Sequence, residues 1–329
     1  MSAQIKEATP DMELFAAGCN AWAQLEFDTF LPSNSDDLTE FTKIAVGQTL
    51  QKPVSRLAYT LSLYSSYQKL PSSNFLIPFA VQNDDKFLIA GYFPDPTMAP
   101  KAASFVMRAN GDSLRPIGSS VFEISISKGG AVNTDKMYAQ KPVKQIAALD
   151  TAFVLLYEDG TVATMGDARF PHVLGRMISE DEPAEELFTL LDLDTLGDPV
   201  QHITACGYTA AALTKSGSVY IWGQHPQSRA KELPFFPGLS RFPNYTEIGG
   251  GKDIADIALG ETHGIALTKQ GDVYVIGNNE SGQLGIPSVM SVRTWIKLEF
   301  SPPQNAVVTG VAAGPHTSFM LVSSSLAAN

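Results

Sequence analysis

Cysteine is scarce: Cys19 and Cys206 are the only two in 329 residues, and both fall in strand-like stretches. A disulfide framework is therefore not expected, and a reducing compartment suits the chain. No apolar run approaches the length of a membrane span, and the start, MSAQIKEATPDMELF, lacks the basic and apolar segments of a secretion signal. The expectation is a soluble protein of the cytoplasm, the nucleus or both. Positive charge is also short, 23 Lys and Arg against 34 Asp and Glu, a net charge of −11. Such a surface is a poor match for nucleic-acid phosphates. Of the five histidines, His172, His202 and His225 have no Cys, Asp or Glu at metal-ligand spacing, and no HExxH helix occurs. Gly249-Gly250-Gly251-Lys252 lacks the spacing of a phosphate loop, with Asp253 where a hydroxyl should stand. No catalytic residue, metal or cofactor is expected.

What the chain does have is repetition. Ile254 to Ile286 reads as two apolar runs, a turn at Lys269-Gln270-Gly271-Asp272, a third run from Val273 to Ile276, and a loop punctuated by Gly277, Gly282 and Gly285. The same order recurs at Val200 to Trp222 and at Val143 to Met165. Gly160, Gly217 and Gly271 hold the turns at intervals of 57 and 54 residues. A unit of three or four strands cannot bury both of its faces alone, and repetition at this period is the signature of a propeller.

The ends of the chain complement each other. After a polar tail over residues 1–11, Glu13 to Gly18 enters the repeat at its third strand, whereas Val307 to Val322 supplies the first two strands of a repeat and stops. Pairing Leu14 to Gly18 with the unit holding Val311 to Leu321 would close the ring and remove exposed edges. The propeller is thus expected over 12–323, with a short tail over 324–329. Between Phe27 and Met137 the punctuation thins: Phe79 to Gly91 keeps the turn spacing with Asp85 in place of glycine, and Arg56 to Tyr64 and Val106 to Gly111 offer further hairpins. An acidic insert over 176–199 interrupts the repeat, and Pro183 followed by AEELFTLL reads as a short helix with Leu187, Leu190 and Leu191 on one face. Gln224 to Tyr245 replaces the usual short loop, and part of it must form an outer strand.

Gly260, His263, Ala266-Leu267-Thr268, Gly271, Val273-Tyr274, Gly277-Asn278 and Gly282-Gln283-Leu284-Gly285 resemble the regulator of chromosome condensation repeat. Cys206-Gly207, Ala212-Leu213-Thr214, Gly217, Val219-Tyr220 and Trp222-Gly223 match it one unit earlier, and Gly18, Asn20, Gln24 and Leu25 match it at the start. The resemblance implies an all-β fold, a single closed propeller of six or seven blades, with seven, usual in the family, expected. It implies a non-catalytic, protein-binding role as a regulatory or partner subunit. Compact fungal relatives of the alpha-tubulin suppressor type suggest a small zinc protein as partner, in tRNA wobble-uridine modification and diphthamide synthesis. A guanine-nucleotide exchange factor for a small GTPase such as Ran is the alternative, and an enzyme with its site in the propeller channel is a third reading that no motif supports.

Departures from a repeat mark the places where a partner can bind, because loops vary without unfolding the blades. Three stand out: Trp22, where the best copy has Ser281; the acidic Glu180, Asp181 and Glu182; and an aromatic-basic loop with Arg229, Phe235, Phe236 and Arg241. Tryptophan in a loop is either packed beneath a neighbour or an anchor. The buried habit of phenylalanine favours the core for Phe235 and Phe236, and an acidic stretch is commonly a solvated face. His263 and His316, each just after a repeat glycine, are expected to hydrogen-bond within their own blades.

Overall fold

The computed structural model describes residues 12–26, 36–47, 50–55, 141–223, 236 and 238–324, and between 59 and 139 the strands named below. These residues form six antiparallel sheets. Sheet one holds Val106–Met107, Ser113–Ile117, Ser120–Ile126 and Val132–Ala139. Sheet two holds Val143–Ala148, Ala152–Tyr157, Val162–Gly166 and Phe188–Thr189. Sheet three holds Val200–Cys206, Thr209–Thr214, Val219–Gly223 and Asn244–Tyr245. Sheet four holds Ile254–Leu259, His263–Thr268, Val273–Asn278 and Ser291–Lys297.

Sheet five takes its strands from both ends of the sequence. Ala306–Gly314 and Thr317–Ser324 come first, and Met12–Gly18 then pairs with Thr317–Ser324, Leu14 facing Leu321 and Gly18 facing Thr317. Leu38–Gly47 follows as the fourth strand, with Tyr67–Gln68 at its edge. The pairing expected between the two halves of the split repeat is therefore present. In sheet six the order is Val54–Ser55, Tyr59–Tyr64, Lys86–Gly91 and Phe79–Ala80. Val54–Ser55 pairs with Tyr59–Tyr64, Phe79–Ala80 with Lys86–Gly91 and Val106–Met107 with Ser113–Ile117, while the turn expected before Gly111 lies outside the described residues. Chain order and spatial order differ in sheet six, because the edge strand Phe79–Ala80 precedes the inner Lys86–Gly91.

The sheets stand side by side through their first strands, running from sheet one through sheet five to sheet six. Core therefore forms between neighbouring sheets. Val154 and Leu156 of sheet two pack with Ile203, Ala210 and Trp222 of sheet three, and Ala211 and Ile221 of sheet three pack with Ile257 and Ile276 of sheet four. Second strands consequently have apolar neighbours on both sides, and AFVLLY, TAAALT and HGIALT are buried at every position. Trp222 is fully buried, which removes its large apolar surface from water, and its indole N–H donates to Val173 O at 3.1 Å. That burial contributes about 3 kcal/mol, and the bond prevents the loss that an unpaired donor would bring.

One device repeats at the first strands of sheets two to five. A bulge falls between Val143 and Gln145, between Val200 and His202, between Ile254 and Asp256, and between Val308 and Gly310. The residue after each bulge reaches the backbone of the next first strand. Gln145 exchanges two hydrogen bonds with Ile203, at 2.6 and 3.0 Å; His202 Nε2–H donates to Ile257 O at 3.1 Å; and Asp256 Oδ2 accepts from Val311 N at 2.7 Å. Leu259 N also donates to Thr204 Oγ1, at the same offset of 55 residues as His202 and Ile257, so these neighbouring first strands run parallel. At the fourth position Gly310 has no side chain, and Lys52, just ahead of sheet six, reaches past it to Asp256 at 2.5 Å.

The helix expected after Pro183 is not formed, and this is a correction. Phe188–Thr189 is instead the outer strand of sheet two, facing Thr164 and Ala163, and the only helical turn nearby is Leu191–Asp194. The cause is Arg176, whose buried guanidinium donates to the carbonyls of Glu182, Pro183 and Glu186 at 2.9, 2.8 and 3.1 Å. A helix would have needed those carbonyls for its own N–H groups. The insert thus contributes a blade strand. Likewise Asn244–Tyr245 supplies the outer strand expected from the long loop, pairing with Ile221 and Tyr220.

Candidate partner-binding face

Because the first strands are parallel, every turn between first and second strands and every loop between third and fourth strands lies on one face. Hydrogen bonds join these turns: Asp150 N donates to Gly207 O at 2.7 Å, Glu261 N to Pro315 O at 3.1 Å and Cys19 N to His316 O at 2.9 Å. All three departures from the repeat are loops between third and fourth strands. Trp22 belongs to sheet five, Glu180 to Glu182 to sheet two, and Phe236 to Arg241 to sheet three, so the fold brings them to a common face.

The Trp22 loop copies that of Ser281 bond for bond. Asn20 Oδ1 accepts from Leu25 N at 3.0 Å and Gln24 Oε1 from Trp22 N at 2.8 Å, while Asn279 Oδ1 accepts from Leu284 N at 2.7 Å and Gln283 Oε1 from Ser281 N at 3.0 Å. On that scaffold Trp22 is 54% exposed. Ala23 follows at φ 53°, where the copy has Gly282 at φ 80°. A non-glycine residue held there costs about 1 kcal/mol.

Around Arg176 the acidic loop is wound tightly. Arg176 is 8% exposed, and its guanidinium also lies 5.0 Å from the Phe188 ring. Burial pulls its pKa below the usual arginine value, opposed by the nearby Glu182 and Glu185 carboxylates; it stays protonated. Glu180 and Asp181 project into solvent and Glu182 is half-buried. From the adjoining sheet the exposed Arg241 lies 4.5 Å over Phe242 and touches Met177 Sδ, so the acidic and aromatic-basic loops meet.

Two expectations change. Phe236 is 2% exposed and packs in the core between sheets three and four against Gly264, which removes it as a partner contact. His263 is fully buried and reaches out of its own sheet, Nε2 lying 3.2 Å from Thr317 O and 3.0 Å from Ser318 Oγ of sheet five. Burial drives its pKa down to about 4. The partly exposed His316 lies 3.5 Å from Glu261, again across two sheets. Arg229, Phe235 and His225 lie outside the described residues. Sequence reasoning missed Arg176 and the bulge residues Gln145, His202 and Asp256; the signal was there, two positions into each of Val143, Val200 and Ile254. Among the described residues no group of three or more His, Cys, Asp or Glu is placed to hold a metal, and no helix is long and apolar enough to cross a membrane.

Comparison with known proteins agrees with this geometry. The regulator of chromosome condensation (RCC1) repeat matches residues 254–283 and again 270–321. An RCC1 repeat-containing protein of Dictyostelium discoideum is 28% identical over 159 residues, covering 46% of this chain and 32% of the relative; the chain thus spans about a third of that relative's length. Human WBSCR16 superposes with a TM-score of 0.58 at 14% identity, over 96% of this chain and 99% of that one. Prp20p of Saccharomyces cerevisiae, described with its binding to Gsp1p and histones, does so with a TM-score of 0.51 at 12% identity, over 96% and 92%. Residues 254–321 thus match the regulator of chromosome condensation (RCC1) repeat, and the sheet pattern resembles that of solved propellers built from it.

Proposed function

We propose that the chain is a protein-binding β-propeller, a regulatory or partner subunit without catalytic residues of its own, acting in the cytoplasm or nucleus. Sheets one and six meet to complete a six-bladed ring over 12–323, and the partner binds on the face of Trp22. One observation carries the reading: a half-exposed tryptophan sits on a loop whose hydrogen bonds are otherwise those of an ordinary repeat, beside an alanine in a left-handed conformation. Buried anchors at protein interfaces are enriched in tryptophan, and strained backbone concentrates at functional sites. Affinity purification of the intact chain should recover a stoichiometric protein, lost on Trp22→Ala. Purification that yields no stoichiometric partner would sink the proposal.

The finer form of this reading makes the partner a small zinc protein serving tRNA wobble-uridine modification and diphthamide synthesis, on the strength of the resemblance to compact fungal relatives. Mass spectrometry of the recovered partner, with both modifications assayed in cells lacking this chain, tests it. The second reading, exchange on a small GTPase, is supported by the likeness in fold to Prp20p. Accelerated release of labelled GDP from a candidate GTPase would favour it over the first.

A further inference from the structure

Among the described residues, charge is segregated between the two faces. Eight lysines have described side chains: Lys43, Lys52, Lys141, Lys144, Lys215, Lys252, Lys269 and Lys297. None stands in a loop of the Trp22 face. They lie at the starts of first strands, in turns between second and third strands, or on outer strands reaching away from that face. There they meet acids: Lys52 with Asp256, Lys141 with Asp159, and both Lys252 and Lys297 with Asp272. The loops of the Trp22 face, among the described residues, carry twelve carboxylates and three arginines. Arg176 is spent on carbonyls beneath its loop and Arg169 on Asp167, which leaves Arg241 on Phe242 and Met177.

The acids are also held in place. Arg176 fixes the backbone of the loop that bears Glu180, Asp181, Glu185 and Glu186, so little ordering remains to be done when something docks. Exposed apolar side chains stand among them: Trp22 at 54%, Met177 at 60% and Met290 at 65%. Such a surface complements a segment that carries both positive charge and an apolar side chain. A second copy of this chain would bring acid against acid, and a nucleic acid would be repelled.

We propose that the Trp22 face docks a lysine- or arginine-rich segment of a partner protein, with the acidic loop of sheet two steering it and Trp22 anchoring it. This rests on the protein-binding reading above and adds the chemistry of the partner. The same number of acids is reversed on each face of the full chain: Glu180→Lys with Asp181→Lys on one, Asp192→Lys with Asp194→Lys on the other. Binding of a lysine-rich peptide containing one leucine is followed by titration at low and high salt, with a glutamate-rich peptide as control. Reversal on the Trp22 face should weaken the lysine peptide about tenfold at low salt and far less at high salt, whereas reversal on the other face should leave it within about twofold. Equal weakening by both pairs would show that only net charge matters and overturn the proposal, as would tighter binding of the glutamate peptide. If the protein recovered from extract is lost on Trp22→Ala yet held unchanged by Glu180→Lys with Asp181→Lys, the basic-segment proposal fails while the protein-binding reading stands. If sedimentation shows self-association through this face, the occupant is a second copy and the proposal is wrong.

Discussion

Leu14 and Leu321 face each other across an antiparallel strand pair, both buried, although they come from opposite ends of the sequence. Around them Ala16, Leu25, Ile44 and Phe319 complete one core cluster of sheet five. Leu14→Ala should therefore cost about 3 kcal/mol through lost burial and the cavity left behind, and deleting residues 1–18 should lower the melting temperature further. Thermal melts of the three proteins check this, and unchanged melting of the deletion would mean that the strand contributes nothing.

Asp256 ties three elements together, accepting from Val311 N and from Lys52 while lying 3.9 Å from His202. Asp256→Ala strands a buried backbone donor, so denaturant unfolding should report a loss of about 2 kcal/mol. Asp256→Asn keeps an acceptor for Val311 N and should fall between the two. An alanine variant as stable as the parent would show that the bulge bridges are incidental.

Stability should fall in acid through His263. Its folded pKa is about 4 against an ordinary 6.5, so the unfolded chain binds the proton first, and the contribution present above pH 6.5 is lost progressively as pH drops towards 4. The full loss is about 3 kcal/mol. His263→Gln keeps a side-chain donor but cannot titrate, so its stability should change less over that window. Identical pH slopes for the two proteins would rule the histidine out.

Glycines of the repeat divide sharply. A Cβ on Gly277 would lie 2.2 Å from Thr262 O, at φ 112°, so Gly277→Ala should cost about 3 kcal/mol or more. Gly271 also has positive φ, 90°, but nothing stands within 4 Å, and Gly271→Ala should cost about 1 kcal/mol. Comparable losses at the two sites, measured by urea titration, would contradict the crowding at Gly277.

Trp22→Ala should leave the melting temperature almost unchanged, because the side chain is half in water, while weakening the recovered partner by about 2 kcal/mol, mainly through faster dissociation. Surface plasmon resonance separates the two rates. An unchanged dissociation rate would remove the residue from the interface.

From Val143 onward the fold was legible, because each unit spells its turns with glycine and its second strand with an unbroken apolar run. Gly18 to Leu25 and Val307 to Val322 likewise announced the split sheet. The reading failed at Ala184 to Leu191, where apolar spacing suits a helix but a buried arginine eight residues upstream captures the carbonyls; local periodicity has no access to such a contact. Sheet six was only half visible, since its edge strand Phe79–Ala80 precedes the strand it flanks. The three candidate loops could be found by their departure from the repeat. That they share a face could not, because this follows from parallel first strands, which only the bridges from Gln145, His202 and Asp256 establish.

The strand Met12–Gly18 leaves the ribosome long before Thr317–Ser324, the partner it must pair with. Throughout synthesis only Leu38–Gly47 can pair with it, and its other edge offers an open template to any other strand. Folding can end only after the last hairpin arrives, so a nascent-chain holdase should be found on this segment during translation, and release from it should set the pace of maturation.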